Sequence, residues 1–129
     1  MKRGGVINAA LAGALAGLGH TDEVLICDSG MPLPAGAQVV DLAFVAGVPS
    51  FADVLDGILA EIVVEGATAA KEVQAANPAC HALLAERLPG LAYVSHERLK
   101  QLSAAGRLVV RTGEARPYAN VILRCGVAF

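Results

Sequence analysis

A histidine and an aspartate bracket a short apolar run near the N-terminus. The chain reads Gly19-His20-Thr21-Asp22, then Val24-Leu25-Ile26-Cys27, then Asp28-Ser29-Gly30, with Pro32 and Pro34 turning it away. An imidazole, whose reference pKa lies near neutrality, can both give and take a proton. A carboxylate just past the carboxyl end of a strand stands where open α/β sheets place their ligands. Each residue also has a plainer reading. His20 follows a helix-like segment and could hydrogen-bond its last carbonyls, where a cation is favoured. Asp28, before Ser-Gly, could simply close an Asx-turn. Asp22, with Thr21, reads as turn chemistry leading into the strand.

A second polar cluster lies downstream. His96 follows Ser95 at the start of a helical segment, with Lys100 one turn on and on the same face. The two could hold a polyhydroxylated ligand or be plain surface. Pro117-Tyr118-Ala119-Asn120 enters the last apolar run. There the Tyr118 hydroxyl, the Asn120 amide and the Ala119 backbone offer fixed donors and acceptors. The alternative is a turn with a partly buried tyrosine. The chain has no GxGxxG, no Walker lysine loop, no GxSxG and no HExxH. His20 and His81 are too far apart to suggest a local metal motif. An inventory of histidines, an aspartate, a tyrosine and an asparagine, without an activated nucleophile, suits proton transfer on a neutral hydroxylated molecule.

The elements that must position these groups can be read from composition and period. The 129 residues suit one domain, and 55% are hydrophobic with no tryptophan, so the core is aliphatic. The formal charge is -2 with no basic stripe, which argues against nucleic acid and against a membrane surface. So apolar and weakly charged a chain favours a surface partly covered by other subunits. Cys27, Cys80 and Cys125 form no CxxC pair; Cys27 and Cys125 sit in apolar runs and read as buried thiols, favouring a reducing compartment. Lys2 and Arg3 before an apolar segment, with Ala14-Leu15-Ala16, imitate a signal peptide. However, Val6, Ile7, Ala10, Leu11, Ala14, Leu15 and Leu18 recur at helical spacing, so a core helix over 6–18 is expected, stopped at Gly19. No run is long and apolar enough to span a bilayer.

Further along, strands are expected at 23–27, 37–44, 61–65, 91–94, 107–111 and 119–125. Helices are expected at 51–59 (capped by Ser50), 67–76, 79–88 (opened by Asn77-Pro78) and from Ser95 to about Ala105. This alternation gives a single-domain α/β layered fold, with a mixed, mostly parallel β-sheet covered by helices. The last two strands have no helix between them, so they are expected to pair antiparallel.

Taken together, several motifs resemble the D-ribose pyranase family, which is related to the L-fucose mutarotases. They are Leu18-Gly19-His20-Thr21-Asp22, Asp28-Ser29-Gly30-Met31-Pro32-Leu33-Pro34, Gly47-Val48-Pro49-Ser50-Phe51, Glu114 with Pro117-Tyr118-Ala119-Asn120-Val121-Ile122-Leu123, and Cys125-Gly126-Val127 closing at Phe129. The resemblance runs through essentially the whole chain, and the Gly-His-Thr-Asp and Asp-x-Gly-x-Pro-x-Pro pair favours the ribose branch. It implies an isomerase that interconverts the pyranose and furanose forms of D-ribose. It further implies a cytoplasmic, cofactor-free enzyme built as a homodecamer. The family's proton-donating histidine falls on His20, and its substrate contacts on Asp28, His96, Tyr118, Ala119 and Asn120. Ser29 stands where alanine is common, and the segment before Tyr93 is shorter than in some relatives. The rival readings are a mutarotase for another sugar such as L-fucose, and a non-catalytic sugar-binding oligomer.

Overall fold

The computed structural model describes residues 1–129. Its elements in chain order are α1 (Ala9–Ala16), β1 (Glu23–Cys27), β2 (Gln38–Asp41), α2 (Phe51–Leu59), β3 (Val64–Ala70), α3 (Val73–Ala76), α4 (Pro78–Arg87), β4 (Ala92–Val94), α5 (His96–Ser103), β5 (Leu108–Arg111) and β6 (Val121–Cys125). The strands form one six-stranded sheet in the order β2-β5-β1-β6-β3-β4. The neighbours β2/β5, β5/β1 and β3/β4 are parallel, and β6 runs antiparallel to both β1 and β3. The sheet is therefore mixed and mostly parallel, as expected, with β6 as its one reversed strand.

Alternation along the central strands divides the core into two layers. Val24, Ile26, Leu108, Val110, Val121 and Leu123 face one side, where Leu11 and Leu15 of α1, Phe51, Leu55 and Ile58 of α2, and Val73, Cys80 and Leu84 of α3 and α4 pack against them. Leu25, Cys27, Val109 and Ile122 face the other side, covered by Leu99 of α5 and by Met31. The α2 positions 51, 54, 55 and 58 are all buried, which is the helical stripe the sequence spells out. Ser50 caps α2 by accepting from the Asp53 N–H at 3.0 Å, and Ser95 caps α5 by accepting from the Arg98 N–H at 3.1 Å. Burial pushes the Cys27 thiol up to about 12 and the Cys80 thiol to about 11, and raises Cys125 as well, so all three are free, protonated core residues.

Three expectations need correction. The first helix is shorter than 6–18, because Asn8 caps it by accepting from the Leu11 N–H at 2.9 Å. Val6 instead donates its N–H to Glu61, Ile7 is exposed, and the helix ends at Gly17 rather than Gly19. The second is the strand at 61–65 with a helix at 67–76. The strand actually occupies Val64–Ala70, and only Val73–Ala76 is helical. Thr68 and Ala69 are paired on both sides, to β6 and to β4, with Ala70 paired to β4, and that tertiary pairing overrides alanine's preference for helix. Third, β5 and β6 do not pair with each other; β1 lies between them, parallel to β5 and antiparallel to β6.

This topology places the carboxyl ends of β1, β4 and β5 and the start of β6 on one edge of the sheet. The loop leaving β5 is pinned there. Thr112, fully buried, donates its hydroxyl to the Cys27 carbonyl at 2.9 Å and accepts from the Glu114 N–H at 3.1 Å. Gly113 admits the Val48-Pro49 turn so closely that a Cβ there would lie 2.2 Å from the Val48 carbonyl oxygen. Thr112→Val keeps the shape but leaves the Glu114 N–H without its acceptor. It should therefore lower the urea unfolding free energy by about 1–3 kcal/mol with an unchanged denaturant slope.

Candidate functional site

The carboxyl edge of the sheet carries a cavity of about 350 Å3, lined by Asp28 to Met31, His96 and Glu114 to Tyr118. Asp28 enters from the end of β1. Its Oδ1 accepts from the Gly30 N–H at 3.0 Å, closing an Asx-turn. Its Oδ2 accepts from the Asn120 amide at 2.9 Å, and its own N–H donates to Asn120 Oδ1, also at 2.9 Å. The turn reading and the site reading of Asp28 thus hold together: the turn aims the carboxylate, and Asn120 clasps it from both sides. Asn120 is fully buried, so its amide acts on the cavity through Asp28.

His96 comes from the first position of α5, and its N–H is held by the Glu72 carboxylate at 3.0 and 3.1 Å. The Glu72 carboxyl is lowered, chiefly by that backbone hydrogen bond. The His96 ring meets Tyr118 edge to face, with centroids 5.1 Å apart and planes at 83°. Its Nδ1 is buried without a hydrogen-bond partner in the chain, which leaves a polar atom beside the cavity for a ligand to satisfy. Tyr118 adopts a left-handed backbone (φ 59°), a conformation that costs about 1–3 kcal/mol in a non-glycine residue and is held only where its surroundings dictate it. Ala119 is fully buried in the larger core cluster, behind the cavity wall. Lys100 is not among the lining residues; its ammonium pairs with Glu97.

Two lining residues carry charge that the sequence reading gave no role. Glu114 is buried, and its carboxylate accepts from the Arg116 N–H, Nε and Nη2 at 2.9–3.1 Å. These bonds hold the Glu114 carboxyl below the usual range. Arg111 ties the same edge together, donating to the Ser29 carbonyl and to the Asp41 carboxylate. The spacing of Glu114 and Arg116 across a turn was a usable signal, because an acid drawn into an apolar chain needs a partner close by.

His20 lies elsewhere. It precedes β1, so the full length of that strand, about 17 Å for five residues, separates it from Asp28. Thr21 donates its N–H to the Cys125 carbonyl at 2.9 Å, which places His20 beside the end of β6 on the opposite edge. There it lines a second cavity of about 430 Å3 with Leu15, Leu18, Glu61, Val63, Cys125 and Phe129. Its Nε2 is 3.0 Å from Glu65 Oε2, and Glu65 Oε1 is 3.0 Å from Arg124 Nε. Glu65 has no local sequence signal, since its partner is 45 residues away. Asp22 turns the chain as expected: it accepts from the Gly19 N–H at 2.7 Å and lies 3.4 Å from Arg107. Thr21, next to His20, is the other non-glycine residue with a left-handed backbone (φ 69°). The structure therefore gathers Asp28, His96, Tyr118 and Asn120 at one edge, and sets His20 at the other.

Known proteins resemble the chain along its full length. Residues 1–128 match the RbsD / FucU transport protein family. The chain is 70% identical to the D-ribose pyranase of Streptomyces coelicolor and 66% identical to D-ribose pyranase 1 of Rubrobacter xylanophilus, with both chains covered in full. Among solved structures, Bacillus subtilis RbsD complexed with D-ribose aligns over the whole of both chains with a TM-score of 0.95 and 41% identity. The fucose mutarotase of Streptococcus pneumoniae in complex with L-fucose shares the fold, with a TM-score of 0.81 at 23% identity over 95% of each chain.

The buried Glu114 gives the carboxyl edge a definite acid response. Its folded carboxyl titrates below its unfolded value near 4.3, so its stabilisation is present above that value and is lost as pH falls through the lower folded one. Glu114→Gln should be less stable than the parent at pH 7, and urea titrations should show that gap closing as the pH is brought down through the acid limb.

Proposed function

The chain belongs to the RbsD / FucU transport protein family, and we propose that its two polar edges together form the active site of a D-ribose pyranase. The enzyme is an isomerase that interconverts the β-pyranose and β-furanose forms of D-ribose. The observation that carries this reading is full-length identity of 66–70% to proteins named for that activity, on a fold that superposes on a ribose complex.

The chemistry needs only proton transfers. A base takes the proton of the anomeric hydroxyl while an acid protonates the ring oxygen. The bond from the anomeric carbon to the ring oxygen breaks, giving the open aldehyde. A different sugar hydroxyl then adds to the carbonyl, with the two proton transfers reversed. General acid–base catalysis of this kind contributes roughly 10²–10⁴-fold. His20 is the proton donor. Asp28, held by its clasp with Asn120, accepts hydrogen bonds from the sugar's hydroxyls and orients them. His96 and Tyr118 border the same cavity and fix the sugar's orientation, with the Ala119 backbone behind them.

A sugar resting on Asp28 cannot reach His20 of the same chain across the length of β1. Each site accordingly combines the His20 edge of one subunit with the Asp28 edge of a neighbour in a homo-oligomer, a decamer by the family resemblance. The exposed apolar residues Phe44, Val45, Val63, Val127 and Phe129 suit burial against such neighbours. No helix is long and apolar enough to cross a membrane, and three buried unpaired thiols fit a reducing cytoplasm.

NMR exchange spectroscopy on D-ribose tests the assignment. The parent protein should accelerate exchange between the pyranose and furanose signals. His20→Ala should bind ribose yet lose that acceleration, and Asp28→Asn should weaken binding. Wild-type exchange in His20→Ala would show that another group donates the proton.

A further inference from the structure

Glu65 stands at an irregularity in the sheet. Strand β3 pairs with β6 through Val64 to Cys125 and then Gly66 to Arg124, and the register shift between them leaves Glu65 as the extra residue of a β-bulge. Bulges re-aim side chains, and they recur beside active sites. Here the bulge points a carboxylate at His20. Gly126 makes room for it, since a Cβ there would meet Glu65 Cβ at 3.3 Å. One oxygen then accepts from the imidazole Nε2 and the other from Arg124 Nε, both at 3.0 Å. The His20 and Glu65 side chains are 53% and 37% exposed, and exposed ion pairs add little stability. Fold stability therefore gives no reason for the bulge, the carboxylate and the arginine to converge on this histidine.

We propose that Glu65 is a positioning residue. Carried to His20 by the bulge and oriented by Arg124, it holds one imidazole proton on Nε2, so that the proton His20 gives to the sugar and later recovers is a second one, carried on Nδ1. The inference rests on His20 being the proton-transfer group of the ribose site. A carboxylate can only accept, so a neutral imidazole facing it must carry its proton on that side. Arg124 can only donate, so it keeps its own oxygen of Glu65 and leaves the other for His20.

This arrangement makes a specific prediction for Glu65→Gln. Arg124 should claim the amide oxygen and turn the NH2 group toward His20. Nε2 must then accept, and the proton moves to Nδ1. Long-range 1H–15N NMR of the full-length protein, recorded as the pH is raised until the imidazole shifts stop changing, reads the tautomer directly. The expected result is an Nε2–H tautomer in the parent and Nδ1–H in Glu65→Gln, with ribose affinity unchanged and the exchange rate lower by about tenfold or more. In the double variant Glu65→Gln with Arg124→Gln, the amide is free to turn its oxygen toward His20. The Nε2–H tautomer and part of the exchange rate should return, a recovery that a merely structural role for Glu65 does not produce. An unchanged tautomer in Glu65→Gln, or an unchanged exchange rate with a switched tautomer, would overturn the proposal. Absence of ribose exchange in the parent would instead overturn the functional reading, and the tautomer alone would then decide whether Glu65 governs His20.

Discussion

The antiparallel ladder between β1 and β6 sets the two polar edges of this fold apart and aims Asp28 and His20 at them. It pairs Ile26 with Val121 at one end and Glu23 with Arg124 at the other, in a sheet where β6 is the one reversed strand. Because β6 is reversed, its first residues arrive where β1 ends, and Asn120 can take both the N–H and the carboxylate of Asp28. For the same reason its last residues arrive where β1 begins, and the Cys125 carbonyl receives the N–H of Thr21, next to His20. A parallel β6 would have brought neither contact. Strand β1 is itself deeply buried, with Val24 to Cys27 at 0% exposure. Its geometry is held by the core on both faces.

Much of this was legible in the sequence because the signals are local. Ser50, Asn77-Pro78 and Ser95 announce helix starts through side chains that cap within three residues, and each does so. The apolar run 24–27 can only be a buried strand, and Asp28-Ser29-Gly30 makes the turn its composition suggests. What was not legible depends on distant partners. The run Ala67-Thr68-Ala69-Ala70 has helical propensity and becomes strand only because β4 and β6 flank it. The placing of β1 between β5 and β6 is a choice of topology that no local pattern encodes. Glu65 is one acid among 12 acidic residues until the bulge in β3 brings it to His20.

The site residues divide along the same line. In sequence Asp28 stands with His20, and His96 and Tyr118 form a second cluster, yet Asp28, His96 and Tyr118 border one cavity. His20 and Asp28 bracket the expected strand, and that strand holds its ends apart. Each edge has one residue in a left-handed backbone conformation, Thr21 beside His20 and Tyr118 beside the Asp28 clasp. Strain of that kind gathers where side chains must be aimed. On the proposed reading each chain carries two halves of a site facing opposite ways, which is the geometry a ring or stack of identical subunits can close.

Complementation between two inactive variants tests that arrangement most directly. His20→Ala and Asp28→Ala, co-expressed with different tags and isolated as mixed oligomers, should each be inactive alone. Where a site draws His20 from one subunit and Asp28 from the next, random mixing restores about one site in four, and ribose exchange should reappear at about that fraction of the parent rate. Mixed oligomers no more active than either variant alone would contradict the account, because a site contained within one chain cannot be rebuilt by mixing.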